Sequence, residues 1–349
     1  MQYRKLGNTD IKVSVMALGC WPFAGGAVWG HQDDGDSIAT VHTALDNGIN
    51  FFDTAEGYEA GKSEQVLGQG LKGRRDKAVI ATKVSPNHLS AEDVVLSCER
   101  SLQMLGTDYI DLYQVHWPSR AGVAQPGQKQ AVGSGGTGGK EVPMGETVRA
   151  LERLKKQGKV RAIGVSNFAV QDLSAILKLT DIVSDQLPYS LLWRAIEFEI
   201  KPLCVQRHVG IICYSPLAQG LLAGRYKNAD EVPEGLARTR LFSNKRPQAR
   251  HTDPGYEKET FEAIRQVKKV ADGLGEHIAA VSLAWLRQRR GVTSFLVGAR
   301  KPAELTQNLP AMDLKLDAST VKELNSITGG VKRYVGRNPD PWNSENRTR

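Results

Sequence analysis

Eight short runs of apolar residues punctuate this chain, and a helical stretch follows most of them. The runs are "VSVMALG" (13–19), "INFFD" (49–53), "AVIATK" (78–83), "DLYQVH" (111–116), "VRAIGVS" (160–166), "IVSDQL" (182–187), "VGIICYS" (209–215) and "SFLVG" (294–298). Most are apolar throughout rather than alternating, which is the pattern of parallel strands buried on both faces. Between them lie the amphipathic patterns "DDGDSIATVHTALDNG", "KSEQVLGQGLKG", "SAEDVVLSCERSLQMLG", "MGETVRALERLKKQG", "VQDLSAILKL" and "RAIEFEIKPLCVQRH". Several end on glycine, and "SAED" places an N-cap before first-turn acids. Eight such units predict an α/β fold, a (β/α)8 barrel, over residues 1–330 as one domain, with an extended tail over 331–349. A doubly wound sheet is the alternative, and it leaves several units without a place.

Two segments interrupt the rhythm. Residues 118–143 are Gly- and Gln-rich and read as a mobile loop after the fourth strand; residues 224–256 form a second long loop, rich in Arg and Pro, after the seventh. In a barrel both belong to the C-terminal face, where active sites are built. Within the first loop, "GSGGTG" (133–138) matches a dinucleotide-binding pattern. It is rejected, because no strand feeds it and that motif works only between a strand and a helix.

Composition narrows the function. The net charge of +8 comes from 46 basic and 38 acidic residues spread along the chain, without a nucleic-acid recognition motif. Its densest patch, "RTRLFSNKRPQAR", reads as a solvated loop. No run approaches the roughly 18 apolar residues of a membrane helix, and no signal peptide opens the chain, so a cytoplasmic protein is expected. Cys20, Cys98, Cys204 and Cys213 lack metal or disulfide spacing and read as free, mostly buried thiols; no metal site is expected.

What stands at the strand ends carries the chemistry. Strand two ends in Asp53, strand three in Lys83 and strand four in His116, while Tyr58 follows in the loop after strand two. Singly, each has a structural explanation: a helix cap, an ion pair, a core histidine, a surface ring. In a barrel they converge at one mouth. A lysine closing an apolar strand is costly to bury without a counter-ion, which Asp53 can supply. An ammonium beside a phenol lowers a pKa normally near ~10. Such a group can hand a proton to a forming alkoxide.

The same residues resemble a known family. "FFDTAEGYEAGKSEQVLG", "ATKV", "YIDLYQVHWP", "IGVSNF", "QLPYS", "YSPLAQGLLAGRY" and "GARKPAELTQNL" look like the motifs of an aldo-keto reductase, over essentially the whole chain. The resemblance implies that Tyr58 is the acid/base, Lys83 tunes it, Asp53 holds Lys83, and His116 orients the substrate carbonyl. Potassium-channel β subunits, a related branch, depart from histidine at this position; this chain keeps the full set.

The resemblance also implies a nicotinamide cofactor, NADPH with NADH use open, since no side chain supplies hydride. Trp21 and Asp53 border it, Ser166, Asn167 and Gln186 hold the carboxamide, and Tyr214 stacks on the ring. Ser215, Pro216, Leu217, Gln219, Gly220, Leu222, Gly224 and Arg225 belong to the loop that wraps the pyrophosphate. Gly298 and Arg300 lie after the last strand, with Arg300 the candidate for a 2′-phosphate, Lys301 assisting, and Gln307 and Asn308 on the adenine side. Glu304 departs from the Arg or Gln of many relatives. It would repel a phosphate and accept from a free ribose hydroxyl, or else it points to solvent.

Trp21, Trp29, Tyr58, His116 and Trp117 are the candidates for the substrate pocket, with Trp193 and the tail near Trp342 as further contributors; Arg120, Arg194 and Arg225 could bind an anionic group. The expectation is reduction of an aldehyde, ketone or sugar-like carbonyl, with no nucleic-acid or membrane partner. The alternative is a cofactor-sensing regulatory subunit with little turnover. Substrate identity and oligomeric state are not readable from the chain.

Overall fold

In the computed structural model, which describes residues 1–120, 141–344 and 349, eight parallel strands close into a barrel. An antiparallel hairpin, β1 (Tyr3–Lys5) with β2 (Lys12–Ser14), precedes it. The barrel strands are β3 (Met16–Gly19), β4 (Phe51–Asp53), β5 (Val79–Val84), β6 (Ile110–Val115), β7 (Val160–Ser166), β8 (Ser184–Pro188), β9 (Gly210–Tyr214) and β10 (Val292–Gly298). They are neighbours in chain order, and β10 returns to pair with both β9 and β3.

All eight expected strands are present, and the first is divided. Residues 13–19 split at Val15, because Val13 joins Leu6 and Ile11 of the hairpin in plugging the barrel floor while Met16 onward enters the barrel. The hairpin itself is not foreseen, since two three-residue strands give too little alternation to read.

Two separate apolar clusters follow from the period of two along a strand. The inner one holds Ala17, Phe51, Val79, Ala81, Leu112, Ala162, Ile212 and Leu296. The outer one packs the opposite strand faces, such as Phe52 and Ile80, against the helices. Continued upward, the inner row turns polar: Phe51 leads to Asp53, Ala81 to Lys83, and Leu112 to Gln114. The barrel is therefore greasy at its floor and hydrogen-bonding at its mouth.

Helix ends follow the local chemistry. The helix Ala91–Leu105 starts at Ser90, whose side chain accepts from the Asp93 N–H, and stops at Gly106 with φ 63°. Asp33 caps Asp34–Asp46 in the same way. The long loop 224–256 is followed by two helices that the strand rhythm alone does not reveal, Glu257–Gly273 and Ile278–Arg287.

Two surface expectations change. In the patch expected to be solvated, Arg238 and Arg240 are buried, and Arg240 Nε donates to Asp253 Oδ2 at 2.6 Å. Residues 331–335 of the expected tail belong to a helix, Gly329–Val335. Beyond it, 336–344 pack on the barrel mouth, where Arg240 donates to the carbonyls of Val335 and Asn338 and Trp193 Nε1 donates to the Pro339 carbonyl. Most of the loop 118–143, "GSGGTG" included, and residues 345–348 of the tail lie outside the described residues. Among the described residues, no helix is long and apolar enough to cross a membrane.

Packing of the helix Lys62–Gly70 is tightest at Gly68, where an added Cβ would stand 2.4 Å from the Leu105 carbonyl oxygen. Gly68→Ala is expected to destabilise the fold by about 1–3 kcal/mol, since backbone on the far side must move. Thermal unfolding checks this, and an unchanged midpoint would mean that the two helices separate freely.

Candidate active site

The barrel brings Asp53, Tyr58, Lys83 and His116 together. Lys83 is fully buried, and its ammonium donates to Asp53 Oδ1 at 2.6 Å, to the Thr54 carbonyl at 2.8 Å and to the Tyr58 hydroxyl at 3.2 Å. All three of its protons have acceptors. Asp53 is equally engaged, because its Oδ2 accepts from Gln186 Nε2 at 2.7 Å and Gln114 Nε2 at 3.2 Å. The carboxylate thus ties β4 to β5, β6 and β8.

Charge balance follows from these contacts. Burial alone would lower the Lys83 pKa, but Asp53 and Tyr58 outweigh it and leave it above the ordinary value. Burial pushes the Tyr58 phenol up and Lys83 pulls it down; the net result lies above the ordinary tyrosine value. The expected lowering is therefore only the Lys83 contribution, and Tyr58 stays a protonated donor at neutral pH. Burial, with Lys83 nearby, drives His116 well below the ordinary histidine range, so its imidazole is neutral.

Aromatic rings surround the phenol. Trp21 stacks on Tyr58 with centroids 5.7 Å apart, Trp29 meets Trp21 edge-on at 5.5 Å, and His116 meets Tyr58 edge-on at 5.9 Å. Trp117 lies 6.3 Å from Trp342, which in turn is parallel to Tyr214 at 6.0 Å. The tail thereby reaches the mouth. Trp193 is core, held by the tail's Pro339 carbonyl. Arg194 is not a pocket residue, since Glu197, Thr328 and the Asn325 carbonyl take its guanidinium. Arg120 pairs with Asp172 and Glu141.

Directly after β7, Asn167 sits in a left-handed conformation, φ 62°, and joins three strands' ends. Its amide donates to the His116 carbonyl and to Ser166 Oγ, while its oxygen accepts from the Tyr214 hydroxyl at 2.8 Å. Ser166 Oγ donates to the Gln186 carbonyl at 2.9 Å. Ser166, Asn167, Gln186 and Tyr214 are one hydrogen-bonded group, although Gln186 directs its amide to Asp53.

The following loop is strained. Ser215, Ala218 and Gln219 have φ of 50°, 48° and 56°, and Gly220 and Gly224 follow at 94° and 70°. Non-glycine residues pay roughly 1–2 kcal/mol each for this conformation, and such cost concentrates at binding sites. Pro216, Leu217 and Leu222 lie in the same turn, and Leu222 is buried as its packing anchor.

The last cluster lies after β10. Arg300 donates through Nε to Gln32 Oε1 at 2.8 Å and through Nη2 to the His31 carbonyl. Its guanidinium is thus tied to the loop after β3. Glu304 is half-buried and engaged: Oε2 accepts from the Arg300 N–H at 2.8 Å, and Oε1 lies 3.8 Å from Arg225. Lys301 faces Asp36 at 3.4 Å. Gln307 is exposed, Gly298 packs on Pro22, and Asn308 is buried with its Nδ2 on the Glu304 carbonyl.

The residues present fit a dinucleotide on one structural criterion. Gln219 Oε1 and Asn308 Oδ1 are buried acceptors without a partner among the described residues, and they stand on the two segments expected to hold the cofactor. Amino and ribose hydroxyl donors would satisfy both. Gln114, Thr54 and Gln32 escaped the sequence reading. Gln114 was within reach, two residues before His116 and so on the same inner row; Thr54 acts through backbone, and Gln32 only through a contact 268 residues away.

Comparison with known proteins shows the family and the fold. The model of the Aldo/keto reductase family matches residues 15–328. The NADH-specific methylglyoxal reductase of Escherichia coli is 32% identical, covering 91% of this chain and 97% of its own. A probable voltage-gated potassium channel subunit beta of Arabidopsis thaliana is 28% identical, covering 90% and 92%. The crystal structure of an aldo-keto reductase from Klebsiella pneumoniae in complex with NADPH superposes with a TM-score of 0.71 at 25% identity, covering 97% and 99%. The chain belongs to the aldo/keto reductase family.

Proposed function

We propose that this protein reduces a small aldehyde or ketone to the alcohol, with Tyr58 as proton donor and a nicotinamide cofactor in the groove between Tyr214 and Arg300. The observation that carries the reading is the fully hydrogen-bonded Lys83 ammonium, which places one positive charge 3.2 Å from the Tyr58 hydroxyl. When bound, the cofactor supplies hydride. Lys83 stabilises the negative charge left on the Tyr58 oxygen as its proton passes to the carbonyl oxygen. The neutral His116 can donate a hydrogen bond to that oxygen without competing for the proton. Trp21, Trp29 and Trp117 offer apolar walls that exclude water.

The cofactor side supports relaxed choice between NADPH and NADH. Arg300 is already bound by Gln32 and His31, and Glu304 occupies the Arg300 N–H that a phosphate could otherwise use. The carboxylate favours a free ribose hydroxyl. A second reading, a cofactor-sensing subunit, is favoured by the potassium-channel relative. Following loss of reduced-nicotinamide absorbance, with each cofactor against a panel of aldehydes, ketones and keto-sugars, decides between them. Turnover of any member selects the reductase; tight cofactor binding with no turnover leaves the sensor or a substrate outside the panel.

Three outcomes are expected. Tyr58→Phe lowers the reduction rate by about 10²-fold or more, the scale of a lost general acid, while cofactor binding measured by fluorescence holds; full activity would refute the assignment. Lys83→Met lowers the rate and moves the alkaline limb of the pH profile upward. The sign follows because reduction needs protonated Tyr58, and removing the cation raises the Tyr58 pKa further. Since this variant strands the Asp53 carboxylate, Lys83→Met with Asp53→Asn serves as the folding control; an unmoved limb in both would make Lys83 merely structural. Glu304→Gln shifts kcat/KM toward NADPH by about 3- to 10-fold, the size of one charge interaction near the surface, and an unchanged ratio would rule Glu304 out as the selector.

A further inference from the structure

The loop that carries Tyr58 is unusual in its backbone. Directly after Tyr58, Glu59 and Ala60 adopt φ of 47° and 51°, and Gly61 follows at 90°. Two consecutive non-glycine residues in the left-handed region relax unless the flanks hold them. The downstream flank is fastened through Ser63, whose Oγ donates to the Cys20 carbonyl at 2.7 Å and accepts from Thr54 Oγ1 at 2.9 Å. The upstream flank depends on Glu56.

Glu56 lies two residues before Tyr58, and its side chain is only 10% exposed. A single oxygen, Oε1, accepts from the Ser85 N–H at 2.6 Å and meets His88 Nδ1 at 3.0 Å. Ser85 is two residues past Lys83, so the carboxylate fastens the tyrosine's loop to the strand end that carries its lysine. Burial would push the Glu56 carboxyl up, but the bonds from His88 and Ser85 outweigh it and hold it below its ordinary value. His88 is itself flanked by Ser97 Oγ at 3.4 Å, with Asp93 and Arg100 on the same helix. The Glu56 backbone N–H donates to the Lys83 carbonyl at 3.4 Å, while the side chain bonds to Ser85 and His88 rather than to the Tyr58 hydroxyl or the Lys83 ammonium and has no part in the chemistry described above.

We infer that Glu56 is a positioning residue for Tyr58: by clamping its loop to Ser85 and His88, it sets the distance between the phenol and the Lys83 ammonium. The inference rests on Tyr58 being the proton donor. Displacement by about 1 Å of a group so placed costs on the order of 10²-fold in rate. The cofactor groove is not held by this clamp.

The test compares Glu56→Ala and Glu56→Gln with wild type in kcat, in NADPH affinity, and in amide hydrogen exchange of residues 54–61. Glu56→Ala should lose on the order of 10²-fold in kcat, keep its NADPH affinity, and exchange faster in the loop. Glu56→Gln, which retains the accepting oxygen, should recover most of the rate. A kcat for Glu56→Ala within about twofold of wild type, well below that displacement penalty, would overturn the inference. So would equal losses of kcat and NADPH affinity, or an unaltered exchange pattern. Should Tyr58→Phe keep full activity, the proton-donor reading and the catalytic role of the clamp both fall, and loop exchange in Glu56→Ala would show whether the anchoring itself survives.

Discussion

A lysine with no exposed surface is the constraint on which the mouth of this barrel depends. Burying the Lys83 ammonium is tolerable only because each of its protons meets an oxygen, and removing one partner from such a pair typically costs about 3–5 kcal/mol. Asp53, the main partner, is held in turn by Gln114 and Gln186. That arrangement requires four strands in fixed register: Asp53 beside Ala81 on β5, Lys83 beside Gln114 on β6, and Gln186 brought across from β8. Barrel closure and the charged centre therefore support each other. The closed sheet positions the acceptors, and the satisfied ion pair makes a polar barrel mouth affordable.

Around this rigid centre the loops are strained rather than slack. Of the seven non-glycine residues with positive φ among those described, six belong to the segments after β4, β7 and β9, and only His208 stands elsewhere. The energy for these conformations comes from packing in the barrel and from short side-chain anchors such as Glu56 and Ser63. Such loops hold donors and acceptors in place before a ligand arrives, which lowers the ordering cost of binding. The tail contributes in the same way. Arg240, buried and bound to Asp253, grips carbonyls of residues 335–340 and sets Trp342 parallel to Tyr214.

How much was readable depended on whether a residue's role was local. The strands were readable because burial on both faces makes each an unbroken apolar run, and a charge at the end of such a run stands out. Asp53, Lys83 and His116 were found in that way, and the helix Ala91–Leu105 through its cap at Ser90 and its stop at Gly106. Arg194, Arg238 and Arg240 were unreadable because a guanidinium buried against distant carbonyls looks, in one dimension, like one facing water. Glu304 reads in sequence either as a carboxylate facing a ribose or as one facing solvent, and its turn back onto the Arg300 N–H depends on local three-dimensional geometry.

The chain by itself thus determined the (β/α)8 architecture and the identity of the four groups at its mouth, since hydrophobic periodicity and chain order dictate which strands are neighbours. Only the tertiary structure decided the protonation balance among them. Burial and the Lys83 charge act on Tyr58 in opposite directions, and the sum depends on distances and solvent exclusion that sequence spacing does not contain. The same holds for the tail, whose docking on the mouth rests on partners distant in sequence, the buried Arg240 and Trp193 among them.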